Sequence, residues 1–204
     1  GLIGIGERLW ANTDDKIQTA FGTPWMFVLR DVLQFGTNLS NAVDMLFNAN
    51  RTYNIYLGVG SKTDNSFRGF QYSHTDLKMY TDKNWSGSYS DHHPQMDGVV
   101  YWYKSGDDLC MTQTIKENYG KITPETIYRT IAARGQTGNT IVAVFDYGKN
   151  DMYVSMSSNF LPAYNNPVFY FNMTEWFNVK VGDDIAPEPS EDDSLTDSEE
   201  YLLF

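Results

Sequence analysis

Few residues in this chain could start, relay or stabilise a group transfer, and their spacing limits what each can do. Cys110 is the only cysteine, so no internal disulfide can form. A catalytic thiol needs a base within reach and a lowered pKa, for which His92 or His93 would have to serve. The Leu109-Cys110-Met111 context, inside a weakly helical segment, reads instead as buried packing, where cysteine behaves as a small hydrophobe. Asp91, His92, His93 and His74 carry metal-ligating atoms. Adjacent histidines on a polar loop lack the third ligand at fixed spacing that a metal site needs, so neither a metal nor a cofactor is expected. Asn54 is a better candidate. It enters an alternating strand, from which a side-chain amide can donate to an oxygen that gains negative charge. A strand asparagine tied down by a neighbouring loop is the alternative.

The elements that must hold these residues are legible in the apolar periodicity. Thr23-Pro24 is a cap followed by a first-turn proline, and Trp25, Val28, Leu29, Val32 and Leu33 recur at helical spacing up to Gly36. Thr37 or Asn38 then caps a second helix with Leu39, Val43, Leu46 and Phe47 as its stripe. Tyr53 to Val59 alternates as a strand, with Ile55, Leu57 and Val59 on one face and Asn54 and Tyr56 on the other. Strands are also expected at 67–72, 77–81, 98–103, 140–147, 152–157 and near 168–171, with helices over 107–119 and after Thr123-Pro124. Residues 82–97 read as a long polar loop, and 174–177 as a short turn. The expected class is α+β with mostly antiparallel strands.

Composition bounds the rest. The chain has 204 residues and a formal charge of −11, but nine of its 26 acidic residues fall in 183–204, which has no Lys or Arg. The body, 1–182, is thus near neutral and carries no basic stripe for nucleic acid. Residues 183–204 are expected to form an acidic, disordered tail. No apolar run approaches the length that spans a bilayer. Four glycosylation sequons begin at Asn38, Asn50, Asn84 and Asn172. Their use would place the protein in the secretory route, lysosomal or secreted; an asparagine-rich composition in a cytoplasmic protein is the alternative.

Several segments resemble, in order, the acyl-coenzyme A:6-aminopenicillanate acyltransferases and their relatives. They are Gly22-Thr23-Pro24-Trp25 with Phe27 to Leu33, Thr37 to Leu46, Arg51-Thr52-Tyr53-Asn54-Ile55-Tyr56-Leu57, and Gln136 to Tyr147. The resemblance covers roughly residues 1–175, with a gap after Asp82. It implies a four-layer αββα sandwich of the N-terminal-nucleophile type, incomplete at its N-terminus. In that family a precursor cuts itself before a cysteine, whose thiol then attacks an amide or thioester while its own α-amine acts as base. The segment resembling Gly1–Asn12 is internal in the family, so the nucleophilic cysteine is expected from a companion N-terminal chain or segment.

On that resemblance Asn54 takes the oxyanion-hole position, and Thr137 and Gln136 lie where a polar residue borders the nucleophile or substrate. Trp10 and Asp14 follow Gly1-Leu2-Ile3-Gly4-Ile5-Gly6, which reads as a core strand, and could line the pocket mouth, a capped turn being the plainer role. The implied activity is a thiol-dependent amidohydrolase or acyltransferase acting on a small acyl-amide or acyl-thioester. The rival readings are a non-catalytic binding or structural module that keeps the fold, and a lectin-like secreted protein using the aromatic strands.

Overall fold

The computed structural model describes residues 3–9, 18–84, 94–101 and 109–178. Trp10, Asp14, Asp91, His92, His93 and the acidic segment 183–204 lie outside them. Among the described residues the chain is α+β, with two antiparallel sheets and several helices.

The first sheet has the order β1-β2-β3-β4, with β1 at Ile3–Leu9, β2 at Ile55–Ser61, β3 at Ser66–Tyr72 and β4 at Leu77–Tyr80. Helices α1 (Trp25–Phe35) and α2 (Leu39–Asn48) cover one face of it. Val28, Leu29 and Val32 of α1, with Leu39, Ala42 and Leu46 of α2, pack onto Ile55, Leu57, Val59, Phe70 and Tyr72. Trp25 of α1 and Val43 and Met45 of α2 pack at the margin of this core, whereas Leu33 and Phe47, expected on the apolar stripes, are exposed. Asn38 caps α2, its Oδ1 accepting from the Asn41 N–H at 2.8 Å. The β2–β3 turn adds a second cap, because Asp64 accepts from the Leu39 N–H at 2.6 Å. Hydrogen bonds from Ser61 and from Leu39 hold the Asp64 carboxyl below its ordinary range.

The expected Thr23 cap is not used. Pro24 occupies the capping position without a side-chain bond. The Thr23 backbone is committed elsewhere, bridging in parallel to Arg51 and donating to the Asn50 carbonyl at 2.8 Å. Gly22, at φ 144°, permits this approach: a Cβ there would lie 2.6 Å from the Asn50 oxygen.

The second sheet has the order β5-β6-β7, at Ile141–Asp146, Asp151–Met156 and Phe169–Asn172. Val142 and Val144 pack with Ala132 and Ala163 on one face. The other face is apolar across all three strands: Ile141 pairs Met156, Ala143 pairs Val154, Val154 pairs Phe169, and Met152 lies between Phe145 and Phe171. Ile141, Met156 and Phe169 on that face are exposed. The helix after Thr123 begins as expected, with Thr123 accepting from the Thr126 N–H and Pro124 in the first turn. It then widens into a π-helix at Ile127–Ala132.

Three expectations are corrected. Residues 98–101 form no strand: Gly98, at φ 71°, turns the chain, and only the isolated Met96–Val99 bridge remains. The segment 174–177 is not a turn but part of a helix, α5, at Met173–Asn178. Cys110 is exposed, not buried. Helix α3 (Leu109–Asn118) buries Met111, Thr112, Thr114 and Ile115, leaving the Cys110 thiol to donate to the Arg134 carbonyl at 3.5 Å.

The two sheets meet at Tyr147, in the β5–β6 turn. The first sheet's face away from α1 and α2 is floored by glycine: Gly4 pairs Gly60, and Gly6, Gly58 and Gly69 form one row across β1, β2 and β3. The Tyr147 ring lies on Gly4 and Gly60, and its hydroxyl donates to the Gly4 carbonyl at 3.3 Å. A Cβ at Gly60 would fall within the Tyr147 ring, whereas none of the described residues comes within 4 Å of a Cβ at Gly58. Gly60→Ala is therefore expected to lower the unfolding free energy by about 1–3 kcal/mol through overpacking. Gly58→Ala should leave it unchanged or raise it by up to ~1 kcal/mol, because strand glycine carries an entropic cost. Urea denaturation of the two variants makes the comparison, and equal effects would contradict this contact.

Candidate functional site

Asn54 stands where a tight local network hands the chain to β2. Arg51 organises that network. Its Nε donates to the Ser73 carbonyl at 2.7 Å, and its Nη1 donates to the Leu46 and Phe47 carbonyls at 3.2 and 3.0 Å. One cation thus serves the C-terminal carbonyls of α2, which helix geometry leaves open, and the β3–β4 connection. The same guanidinium lies 5.8 Å from the centre of the Tyr72 ring. The Arg51 carbonyl in turn lies 2.9 Å from His74 Nδ1, which assigns that histidine a local structural contact. Thr52 adds a bond from its hydroxyl to the Thr23 carbonyl.

With residues 51 and 52 fixed, Asn54 is fully buried, at 0% exposure. Ile55, Leu57 and Val59 point to the helical core, so by alternation Asn54 shares the opposite face with Tyr56, Gly58 and Gly60. That is the glycine-floored face. A buried carboxamide thus sits on the same sheet face as the open Gly6–Gly58 pair.

Gln136 and Thr137 have a different setting. They end the helix after Thr123: Gln136 is left-handed at φ 46°, and the Thr137 N–H donates to the Ala132 carbonyl at 3.0 Å. They feed β5, in the second sheet, whereas Asn54 leads into β2, in the first. The glycine floor and its Tyr147 anchor were not anticipated from the sequence, although the alternating glycines of 4–6 and 58–60 were visible in it.

Two cavities adjoin these elements. One, of about 540 Å³, is bordered mainly by apolar side chains, among them Phe67, Val99, Ile115, Ile122, Ile127 and Ile131. Phe67 pairs with Gly60 in the register, which puts this cavity beside the glycine floor. The other, of about 390 Å³, is polar and lies by Tyr128, Ser155 and Asn166. Ser155 is occupied in packing, donating to the Ala163 carbonyl at 2.6 Å. Among the described residues no cluster of three or more His, Cys, Asp or Glu is placed to hold a metal. No helix of theirs is long and apolar enough to cross a membrane.

The chain is similar to two proteins of Dictyostelium discoideum. It is 28% identical to protein dcd1A over 193 residues, covering 86% of this chain and 43% of the relative. It is 29% identical to protein dcd1B over 194 residues, covering 86% of this chain and 38% of the relative. The chain therefore spans less than half the length of the curated relatives it matches. No family model matches it, and no solved structure does.

The site's tyrosines give it a pH signature. Burial pushes the Tyr72 hydroxyl up to about 12 against the opposing charge of Arg51. Burial likewise pushes Tyr147 up to about 12, against a hydrogen bond from the Gly60 backbone. The folded state keeps protons that the unfolded chain releases near pH 10. The stability these two groups contribute is thus whole below about pH 10 and lost as pH rises towards 12. The urea midpoint should fall across that window, and Tyr72→Phe should flatten the fall. At pH 8 Tyr72→Phe should cost little, since the buried hydroxyl has no hydrogen-bond partner among the described residues.

Proposed function

We propose that this chain supplies the oxyanion donor and the pocket walls of a thiol-dependent amidohydrolase or acyltransferase of the N-terminal-nucleophile type. The observation that carries the reading is Asn54: a fully buried carboxamide at the entry to β2, on the face floored by Gly58 and Gly60. The two antiparallel sheets, each with helical structure on one face, fit the two helix-on-sheet halves of a four-layer αββα sandwich, in which the sheets are the inner layers. The apolar face of β5, β6 and β7, exposed at Ile141, Met156 and Phe169 among the described residues, fits the side of such a sheet that packs on another sheet.

In this reading a companion segment supplies the nucleophilic cysteine. Its sulfur attacks the substrate carbonyl carbon, forming a C–S bond, and the thiol proton passes to the terminal α-amine. Asn54 Nδ2 donates to the oxygen that gains charge, in a setting already ordered before the reaction begins. Collapse of the adduct breaks the C–N bond of an amide, or the C–S bond of a thioester, and the leaving group takes the proton. Water or an amine then resolves the acyl-enzyme. The apolar cavity beside Phe67 is the place for the acyl group. No metal or organic cofactor enters any of these steps.

The test uses the full-length protein and a thiol-acylating amide or thioester probe. The expected result is a single label on an N-terminal cysteine. Asn54→Ala, with unaltered circular dichroism, should lower kcat about 10²–10³-fold while changing KM little. A folded protein that no such probe labels would support the non-catalytic module instead. An active Asn54→Ala variant would remove Asn54 from the mechanism.

A further inference from the structure

The four sequon asparagines differ in what their side chains do. Asn172 is engaged at both heteroatoms: Oδ1 accepts from the Thr174 and Glu175 N–H groups at 3.0 and 3.3 Å, and Nδ2 donates to Glu175 Oε1 at 3.0 Å. It is the amino-terminal cap of α5. Asn38 is half-buried and caps α2, its Oδ1 accepting from the Asn41 N–H at 2.8 Å. Asn84 accepts from both the amide and the hydroxyl of Thr81, at 2.6 and 2.7 Å, and its sequon continues outside the described residues.

Asn50 is unlike these three. It is exposed, and its side chain makes no hydrogen bond among the described residues, while its backbone carbonyl is fixed by the Thr23 N–H. It also has aromatic neighbours. Phe47, three residues earlier in the last turn of α2, is 48% exposed, and Phe21, next to the Gly22 that abuts Asn50, is 85% exposed. The apolar C–H face of a sugar packs on such rings, and doing so removes exposed aromatic surface from water.

We infer that Asn50 carries an N-linked oligosaccharide, with its first sugar lying over Phe47, while Asn38 and Asn172 serve the fold as helix caps and remain unmodified. The donor is a lipid-pyrophosphate-linked oligosaccharide. The Asn50 Nδ2–C1 bond forms as the C1–O bond to the pyrophosphate breaks; the pyrophosphate leaves with the electron pair, and one Nδ2 proton is released. The inference is independent of the proposed catalysis and requires only passage through the secretory route.

The test is site mapping of the full-length protein, recovered from the medium of a eukaryotic host behind a secretion leader. Enzymatic deglycosylation in heavy-oxygen water marks each formerly occupied asparagine. The expected result is a mark on Asn50 and none on Asn38 or Asn172. Asn50→Gln should remove one glycan step from the electrophoretic mobility without lowering secretion. Asn172→Gln should leave the mobility unchanged and lower the Tm. Phe47→Ala should abolish most of the Tm difference between the glycosylated and deglycosylated protein. An unmarked Asn50, or marks on Asn38 or Asn172 in folded protein, would overturn the assignment; so would a Tm difference that Phe47→Ala leaves intact. Because the mapping is read on the unsubstituted protein, misfolding of a variant cannot obscure the result.

Discussion

The Arg51 guanidinium is the contact on which the first half of the structure depends. A helix end needs donors for its last carbonyls, a strand connection needs its own carbonyl satisfied, and a buried tyrosine ring gains from a cation at its face. Arg51 meets all three demands from one side chain, through Leu46, Phe47, Ser73 and Tyr72. Lysine could not do so, because a point charge lacks the planar fork that reaches separate acceptors at once. With the α2–β2 connection held in this way, Asn54 reaches β2 in a fixed register, although it is a polar residue with no exposed surface. The position of the candidate oxyanion donor therefore follows from the capping of a helix.

The glycine face of the same sheet, to which Asn54 belongs, follows a different logic. Strand glycine costs about 0.5–1 kcal/mol relative to alanine, so a face with five of them must be offset elsewhere. The helical side supplies the offset: Val32, Leu46, Leu57, Val59, Phe70 and Tyr72 are all close to complete burial. Two of the glycines, Gly4 and Gly60, are explained by the Tyr147 ring that rests on them. The sheets are thus joined by an aromatic side chain seated on bare backbone, and the shared hydrogen bond to the Gly4 carbonyl fixes its depth.

The helices other than α5, the strands of both sheets and the α+β class could be read from periodicity, because most positions on the spaced apolar faces are the ones that become buried. Local signals mislead where a longer-range demand overrides them. Thr23 looks like a cap, but its backbone pairs with Arg51 instead. Cys110 looks like core, but α3 turns Met111, Thr112, Thr114 and Ile115 inward. Gly98 breaks what reads as a strand, since its left-handed turn is held by Asp82, 16 residues away. Asn54 could be singled out only through the resemblance of Arg51-Thr52-Tyr53-Asn54 to the acyltransferase pattern, since a strand asparagine tied to a loop reads the same way in the residues alone. The Tyr147 anchor could not, since it depends on a contact 143 residues distant in sequence.

Of the other three, the Gly6–Gly58 pair bears on function most directly. Tyr147 does not account for them, and no described atom lies within 4 Å of a Cβ at either. They face each other across β1 and β2, on the side to which Asn54 belongs by alternation. Phe67, opposite Gly60, leads from there to the apolar cavity. In the proposed reaction, a floor without side chains, a buried amide at one end and an apolar recess at the other serve the parts of an acyl-amide: a carbonyl that needs a donor, and a hydrocarbon that needs cover. The exposed Cys110 on α3 has no place in that arrangement. In the proposed reaction the thiol comes from a different segment, so the cleft of this chain binds and stabilises, and the nucleophile is delivered to it.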